Sequence, residues 1–371
     1  MKVYLHVGMP KCASSTLQRF FRDNHEQHIA CGFCYPEAYR EKGGYFSHRP
    51  LHKLSSEDVG GAVRKIKEEA ESKGCDKILL SSEEFTNSLW DKDITACVIR
   101  ELNHFFGVDN VSIMMVVRNH LPFVESVFSQ FVKGGMFRVH MGRFFQESDG
   151  DLLGFMDFFH KNNGFDFFVY SNFVDFYKSI APSNRVALVS MEPEDNDGKD
   201  IVDVMCDWFS LPSAIKDSGK VNSRFSEKSL LAMRYARMHF GGEDFINKRK
   251  RINKVFEMRG DGRSKEFSLS GAAYGRVSEG ALKDLECFEK NDYDIPKKVF
   301  SNLDAFPREL DDISLSGEEM CAVKYLMEES APDIEKAHML ADFSLPYIMG
   351  IINRHEKKLD ELSERLFNES E

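Results

Sequence analysis

A lysine and three hydroxyl residues stand together near the amino terminus, in Gly8-Met9-Pro10-Lys11-Cys12-Ala13-Ser14-Ser15-Thr16. An apolar run at 3–7 precedes them, and Leu17-Gln18-Arg19-Phe20-Phe21 follows with helical spacing of its apolar residues. A strand, a short loop and a helix in that order gather open backbone N–H groups and the positive end of a helix dipole around one point. Such a point suits a phosphate or sulfate, and Lys11 adds a full positive charge to it. Ser14, Ser15 and Thr16 supply donors for anionic oxygens, or cap the helix. The plain alternative is a capped helix after an edge turn. No Gly-Lys pair precedes a Ser or Thr, so the magnesium-ligand hydroxyl of the GxxxxGK[ST] loop is not placed.

A second cation closes another apolar run. Ser112-Ile113-Met114-Met115-Val116-Val117 ends in Arg118, and a helical pattern carrying Ser126 follows. A guanidinium can donate two parallel hydrogen bonds to phosphate oxygens, and a serine on the next helix adds a neutral donor. Taken singly, Arg118 reads equally as half of a surface ion pair and Ser126 as a helix-face hydroxyl.

The elements that must hold these groups alternate along the chain. Apolar, β-branched runs at 3–7, 77–82, 111–117 and 185–190 predict strands, and 14–24, 58–73, 94–106, 122–132, 172–180 and 199–209 predict helices. Strands separated by helix-length crossovers imply a parallel sheet covered by helices, a three-layer α/β domain. The unbroken apolar character of 112–117 predicts a central strand buried on both faces. Beyond residue 221 the strand signals fade, while 226–240, 279–289, 317–329 and 333–366 read as helices. The expected organisation is a nucleotide-binding core over 1–225 and an α-rich extension over 226–371, packed on the core. A basic run at 247–251, with glycines at 260 and 262, reads as a solvated helix face and loop, or as a flap.

Composition narrows the function. The 371 residues carry 49 basic and 60 acidic side chains, a formal charge of −11, so the global field does not favour nucleic acid and any anion site is local. No apolar run approaches the ~20 residues of a membrane span. The first residues are broken by Gly8 and Pro10 too early for a secretory signal, and a cytoplasmic protein is expected. The cysteines at 12, 31, 34, 75, 97, 206, 287 and 321 are scattered and read as reduced thiols; Cys31 and Cys34 form a lone CxxC without a second pair.

The segment Pro10-Lys11-Cys12-Ala13-Ser14-Ser15 resembles the phosphosulfate loop of the sulfotransferase family, of the type Pro-Lys-(Ser/Thr)-Gly-Thr-(Thr/Ser). Arg118 and Ser126, eight residues apart, resemble the pair with which family members hold the donor's 3′-phosphate. Weaker echoes of bacterial members are Ser81-Ser82-Glu83-Glu84-Phe85, residues 170–177, and Val221 to Ser226. The resemblance covers about residues 1–230. Cys12 stands where the family has a hydroxyl residue, and Ala13 where it has glycine.

The resemblance implies a P-loop-NTPase-like core binding 3′-phosphoadenylyl sulfate (PAPS) as co-substrate. It implies sulfuryl transfer to a hydroxyl or amine of a small molecule, carbohydrate or glycolipid, with adenosine 3′,5′-bisphosphate released and no metal required. Lys11, Cys12, Ala13, Ser14, Ser15 and Thr16 would form the 5′ side of the site, and Arg118 and Ser126 the 3′ side. Lys11 would meet the leaving oxygen. The base that takes the acceptor's proton should lie beyond the carboxyl ends of the strands. Glu83, after the run Ile78-Leu79-Leu80-Ser81, is the first candidate, and His52 and His48 are the alternatives. His6 reads as a core histidine. The competing readings are a kinase with a degenerate phosphate loop and a nucleotide-binding scaffold without chemistry. The acceptor and the oligomeric state are not legible in the sequence.

Overall fold

The computed structural model describes residues 1–44, 46–89, 92–134, 141–148, 150–212, 227–240, 245, 248–249, 251–252, 256, 271–291, 299–300 and 315–327. Five strands form one sheet: β1 (Lys2–Val7), β2 (Phe33–Cys34), β3 (Lys77–Ser82), β4 (Val111–Val117) and β5 (Arg185–Ser190). Their order is β2-β3-β1-β4-β5, and every pairing is parallel. The fold is therefore α/β, with helices flanking an all-parallel sheet. The expected strand at 3–7 gains one residue, and the other three match the predicted bounds. The edge strand β2 has no counterpart in the sequence reading, because two residues are too short for a period to register.

The expected helices form as α1 (Ser14–Asp23), α3 (Val59–Ser72), α4 (Lys92–Phe106), α5 (His120–Gly134), α8 (Tyr170–Ile180) and α9 (Ile201–Phe209), and the short α2 (His25–Ala30) follows α1. Between α5 and α8 lie α6 (Met141–Glu147) and α7 (Leu152–Asn163), where the sequence analysis assigned no element. The carboxyl third contributes α10 (Glu227–Phe240), α11 (Gly271–Lys290) and α12 (Gly317–Met327). The predicted helix at 333–366 and the echo at 221–226 lie outside the described residues.

Two compact units divide the chain. One comprises Met1–Val127, Met156–Val221 and Ser270–Pro307, and the other Phe128–Phe155, Asn222–Leu269 and Arg308–Glu371. Neither is a single stretch of sequence, and α11 folds with the sheet.

In the sheet unit, β4 is the buried middle that its composition required: Ile113, Met114, Met115, Val116 and Val117 are all fully buried. Tyr4 of β1 meets Phe209 of α9 at 4.8 Å between ring centroids, and Phe209 also packs on Phe33 at 4.9 Å and Phe21 at 5.9 Å. Each such phenylalanine contributes roughly 1.5–3 kcal/mol by leaving water. Asp200 caps α9 by accepting from the amides of Val202 and Asp203. Ser210 ends that helix in the left-handed region, and Lys77 donates to the Phe209 carbonyl at 2.8 Å.

In the other unit, Phe131 packs on Phe144 and Phe155 at 5.3 and 4.4 Å. Arg237 is buried and donates to the Val132 carbonyl at 2.6 Å. Of the described residues of the basic run, Arg251 is exposed, as a solvated face requires, but Lys248 and Arg249 turn to the protein. Lys248 is buried and donates to the Met327 carbonyl, and Arg249 donates to that of Lys133, both near helix carboxyl ends where a cation is favoured. No described helix is long and apolar enough to cross a membrane.

Candidate functional site

Strand order fixes where a ligand can enter. From β1 the chain passes to β2 on one side, and from β4 it passes to β5 on the other, although β1 and β4 are neighbours. Connections leaving adjacent strand ends in opposite directions open a crevice at the carboxyl edge of the sheet. The loop from Gly8 to Ala13 leaves β1 there, and Arg118 leaves β4. Glu83 follows β3 and Glu192 lies just beyond β5. All four groups act electrostatically on one thiol, that of Cys12.

The β1 loop is tightly wound. Lys11 and Ala13 both have positive φ, 64° and 60°, on either side of Cys12. Alternation of this kind turns successive amides toward one side, as in anion-binding nests. Residues other than glycine resist the left-handed region, so two of them only two positions apart represent stored strain. Ala13 is the N-cap of α1 and offers no side-chain cap. The amides of Ala13, Ser14 and Ser15 find no backbone acceptor among the described residues, while Cys12 N–H donates to Met9 and Thr16 N–H to Ala13. Open amides, a dipole end and the half-buried Lys11 thus meet at one place.

Cys12 itself is shut off from solvent. Its side chain is fully buried, and burial pushes the thiol up to about 12, against the pull of Arg118 and Lys11. It is a core residue rather than a donor to an anion. Ser14 is also buried, donating to the Met9 carbonyl at 3.3 Å and pairing with Glu83. Ser15 is half-buried and Thr16 exposed.

Glu83 opens a 3₁₀ segment, Glu83–Leu89, directly after β3. Its side chain reaches solvent, yet protein atoms crowd it closely enough to desolvate the carboxyl. Desolvation pushes its carboxyl up to about 7, opposed by the Lys11 charge and then by the Ser14 hydrogen bond. A carboxylate that exchanges its proton near neutral pH is suited to general base chemistry. Its neighbour Glu84 is engaged by Arg49 at 2.9 Å.

Arg118 is half-buried, and its guanidinium has no hydrogen-bond or ion-pair partner among the described residues. Its backbone is held instead. The Tyr170 hydroxyl donates to the Arg118 carbonyl at 2.7 Å and accepts from the Arg118 amide at 3.3 Å. Glu192 accepts from the Asn119 amide at 2.8 Å, and the Asn119 side chain accepts from Leu121 N–H at the start of α5. Ser126 is half-buried on α5.

The histidine candidates part from this cluster. His48 is fully buried; its Nδ1 accepts from the Ser81 amide at 3.2 Å and its Nε2 therefore donates to the Pro36 carbonyl at 3.1 Å. Burial drives it down to about 4. With both ring nitrogens committed, His48 is structural. His52 lies on the 3₁₀ segment Arg49–Lys53, its ring 6.2 Å from that of Phe85. His6 is buried and neutral, its Nδ1 2.8 Å from the Ser81 hydroxyl.

Glu192 and Tyr170 escaped the sequence analysis as site residues. Glu192 carries no motif. Tyr170 falls in a stretch noted only for resemblance, and its role depends on a contact 52 residues away. A cavity of about 590 Å³ lies elsewhere in the same unit, beside His160, Asp166, Asn172, Arg276, Glu279 and Lys283. No protein-family model, curated protein or solved structure matches the chain.

Proposed function

We propose that the chain is a PAPS-dependent sulfotransferase of P-loop-like fold, acting on a hydroxyl or amine of a carbohydrate, glycolipid or other small acceptor. The observation that carries this reading is the convergence of the Lys11 loop and Arg118 on the β1–β4 crevice, with Glu83 beside Lys11. A donor with phosphates at both ends of a nucleoside needs two separate cationic contacts, and the crevice has one on each wall. Amides at Ala13, Ser14 and Ser15 without a backbone acceptor, and a guanidinium without an ion-pair partner, both among the described residues, fit such a group.

In this reading, the β1 loop amides and Ser15 hold the 5′ side, and Arg118 with Ser126 holds the 3′-phosphate. Bound PAPS supplies a sulfuryl group on a good leaving phosphate. Lys11 neutralises the charge that grows on the leaving oxygen, an electrostatic contribution made where water is largely displaced. Glu83 accepts the proton that the acceptor hydroxyl loses as its oxygen bonds to sulfur. Ser14 hydrogen-bonds that carboxyl, and Lys11 and Ser14 both oppose the desolvation that raises its proton affinity.

Calorimetry with adenosine 3′,5′-bisphosphate tests the donor site. Binding that weakens strongly in Arg118→Ala is expected, whereas no binding, or binding indifferent to that change, overturns the assignment. Mass-detected sulfate transfer to an acceptor panel then tests the chemistry. Lys11→Ala should lower turnover far more than nucleotide affinity, and equal losses would reduce Lys11 to a binding group. A nucleotide-binding protein without transfer is the second reading, favoured by the burial of Cys12, which leaves the loop one donor short. Binding without turnover across the panel would select it.

A further inference from the structure

One carboxylate of the carboxyl third reaches into the architecture behind Arg118. Asp284 lies on α11 and is fully buried. Its Oδ2 accepts from the Tyr170 amide at 2.7 Å and faces His120 Nε2 at 2.9 Å, and its Oδ1 accepts from the Ser171 amide at 2.7 Å. Tyr170 is the residue whose hydroxyl grips both backbone groups of Arg118, and His120 follows Arg118 by two positions. The His120 ring also lies 4.7 Å from that of Tyr170. Asp284 thus holds the Tyr170 backbone and the His120 ring, both adjoining Arg118.

The helix is shaped to deliver this group. Ala273, Val277, Gly280, Ala281, Asp284 and Phe288 form the buried stripe of α11. One turn before Asp284, a Cβ on Gly280 would stand 2.6 Å from Phe168 and 3.1 Å from Val169. Only glycine permits that approach, which sets the carboxylate against the first amides of α8. Taking a carboxylate out of water is expensive, and an apolar side chain would fill the same volume more cheaply. A residue that only stabilised the packing would not need the charge.

We propose that Asp284 is a positioning residue for Arg118: it fixes the Tyr170 hydroxyl and the His120 ring, and through them the direction in which the guanidinium meets an anionic ligand. The proposal rests on the reading of Arg118 as a 3′-phosphate contact. The plain alternative is that Asp284 only caps α8, whose own N-cap residue, Val169, offers no side-chain bond.

Calorimetry of the full chain with two probes separates these. Adenosine 3′,5′-bisphosphate engages Arg118, and adenosine 5′-monophosphate lacks the group that would do so. Wild type should prefer the bisphosphate by roughly ten- to a hundredfold, the effect of one charge-assisted pair. Tyr170→Phe leaves the Asp284 bonds to backbone intact and removes only the clamp. It and Asp284→Asn should each lose most of that preference while monophosphate affinity stays within about twofold, and the double variant should add little more. Preference retained in both variants, with only the melting temperature lowered, overturns the positioning role. Equal losses for both probes overturn it as well. A wild-type chain without preference shows instead that the reading of Arg118 has failed, and the proposal falls with it.

Discussion

Ser14 and Glu83 meet over Gly8: a Cβ on that glycine would lie 2.7 Å from the Ser14 hydroxyl and 3.2 Å from the Glu83 Cγ. The missing side chain is what lets a helix amino terminus and the end of a neighbouring strand share a carboxylate. Thr86 reinforces the junction from below, donating to the Gly8 carbonyl at 3.1 Å. The first turn of α1 and the residue after β3 are therefore one structural unit, although 69 positions separate them in the sequence.

Both partners of Glu83 favour its ionised form, Lys11 more than Ser14. Removing either should raise the proton affinity of the carboxyl above its present value of about 7. Carboxyl titration by infrared or carbon-13 spectroscopy is expected to shift upward in Ser14→Ala, and further in Lys11→Met. A reversed order would show that the hydroxyl, not the ammonium, governs the charge state of Glu83.

The same carboxyl makes folding pH-dependent in an unusual direction. Its folded-state proton affinity lies above the unfolded one, so the native state binds a proton more tightly between about 4.5 and 7. The stability it contributes is complete below pH 4.5 and is lost as pH rises through 7. Denaturant unfolding of Glu83→Gln relative to wild type should gain stability steadily across that window. A difference that stays flat would mean that Glu83 titrates as an ordinary exposed glutamate.

How far the sequence foretold this arrangement depends on the range of the contacts. β3, β4 and β5 were readable to the residue because β-branched and apolar runs of six or seven residues leave a local signature. The order of the strands, and so the crevice, is not local. The Lys11 loop and Arg118 were visible because each is a charged residue at a strand end. Tyr170 and Asp284 were not, since their partners lie 52 and 164 residues away along the chain. His48 misled as a candidate base for the same reason, since Ser81 and Pro36, which engage both its ring nitrogens, are distant in sequence. In the phenylalanine-rich stretch 144–168, Phe144, Phe155, Phe159, Phe167 and Phe168 are fully buried and belong to the core.

Ala13 holds a conformation that glycine adopts freely, with φ 60° and ψ 11°. Relief of about 1–2 kcal/mol of left-handed strain is partly offset by the greater freedom of an unfolded glycine, about 0.4–1 kcal/mol. Ala13→Gly should therefore stabilise the chain by roughly 0.5–1 kcal/mol and raise its melting temperature. A lower melting temperature would mean that the alanine methyl packs usefully enough to outweigh the strain.

Two buried histidines act against Glu83 as the solution is acidified. His6 and His48 are both held down to about 4 by burial, well below the 6.5 of a free imidazole. Below pH 6.5 the unfolded chain takes up protons that these rings refuse, so the stability each contributes is present above 6.5 and is lost as pH falls toward 4. Each histidine should add roughly 1.4 kcal/mol per pH unit to that fall, and together they outweigh the single opposing carboxyl. Urea unfolding from pH 6.5 down to 4.5 should show stability decreasing, with His6→Asn removing about one of the two contributions. His48 cannot be relieved in this way without breaking its bonds to Ser81 and Pro36, so His48→Ala should lower stability at every pH and leave the acid limb of any activity profile to Glu83. An acid limb that vanishes with His48 and survives Glu83→Gln would return the role of base to the histidine.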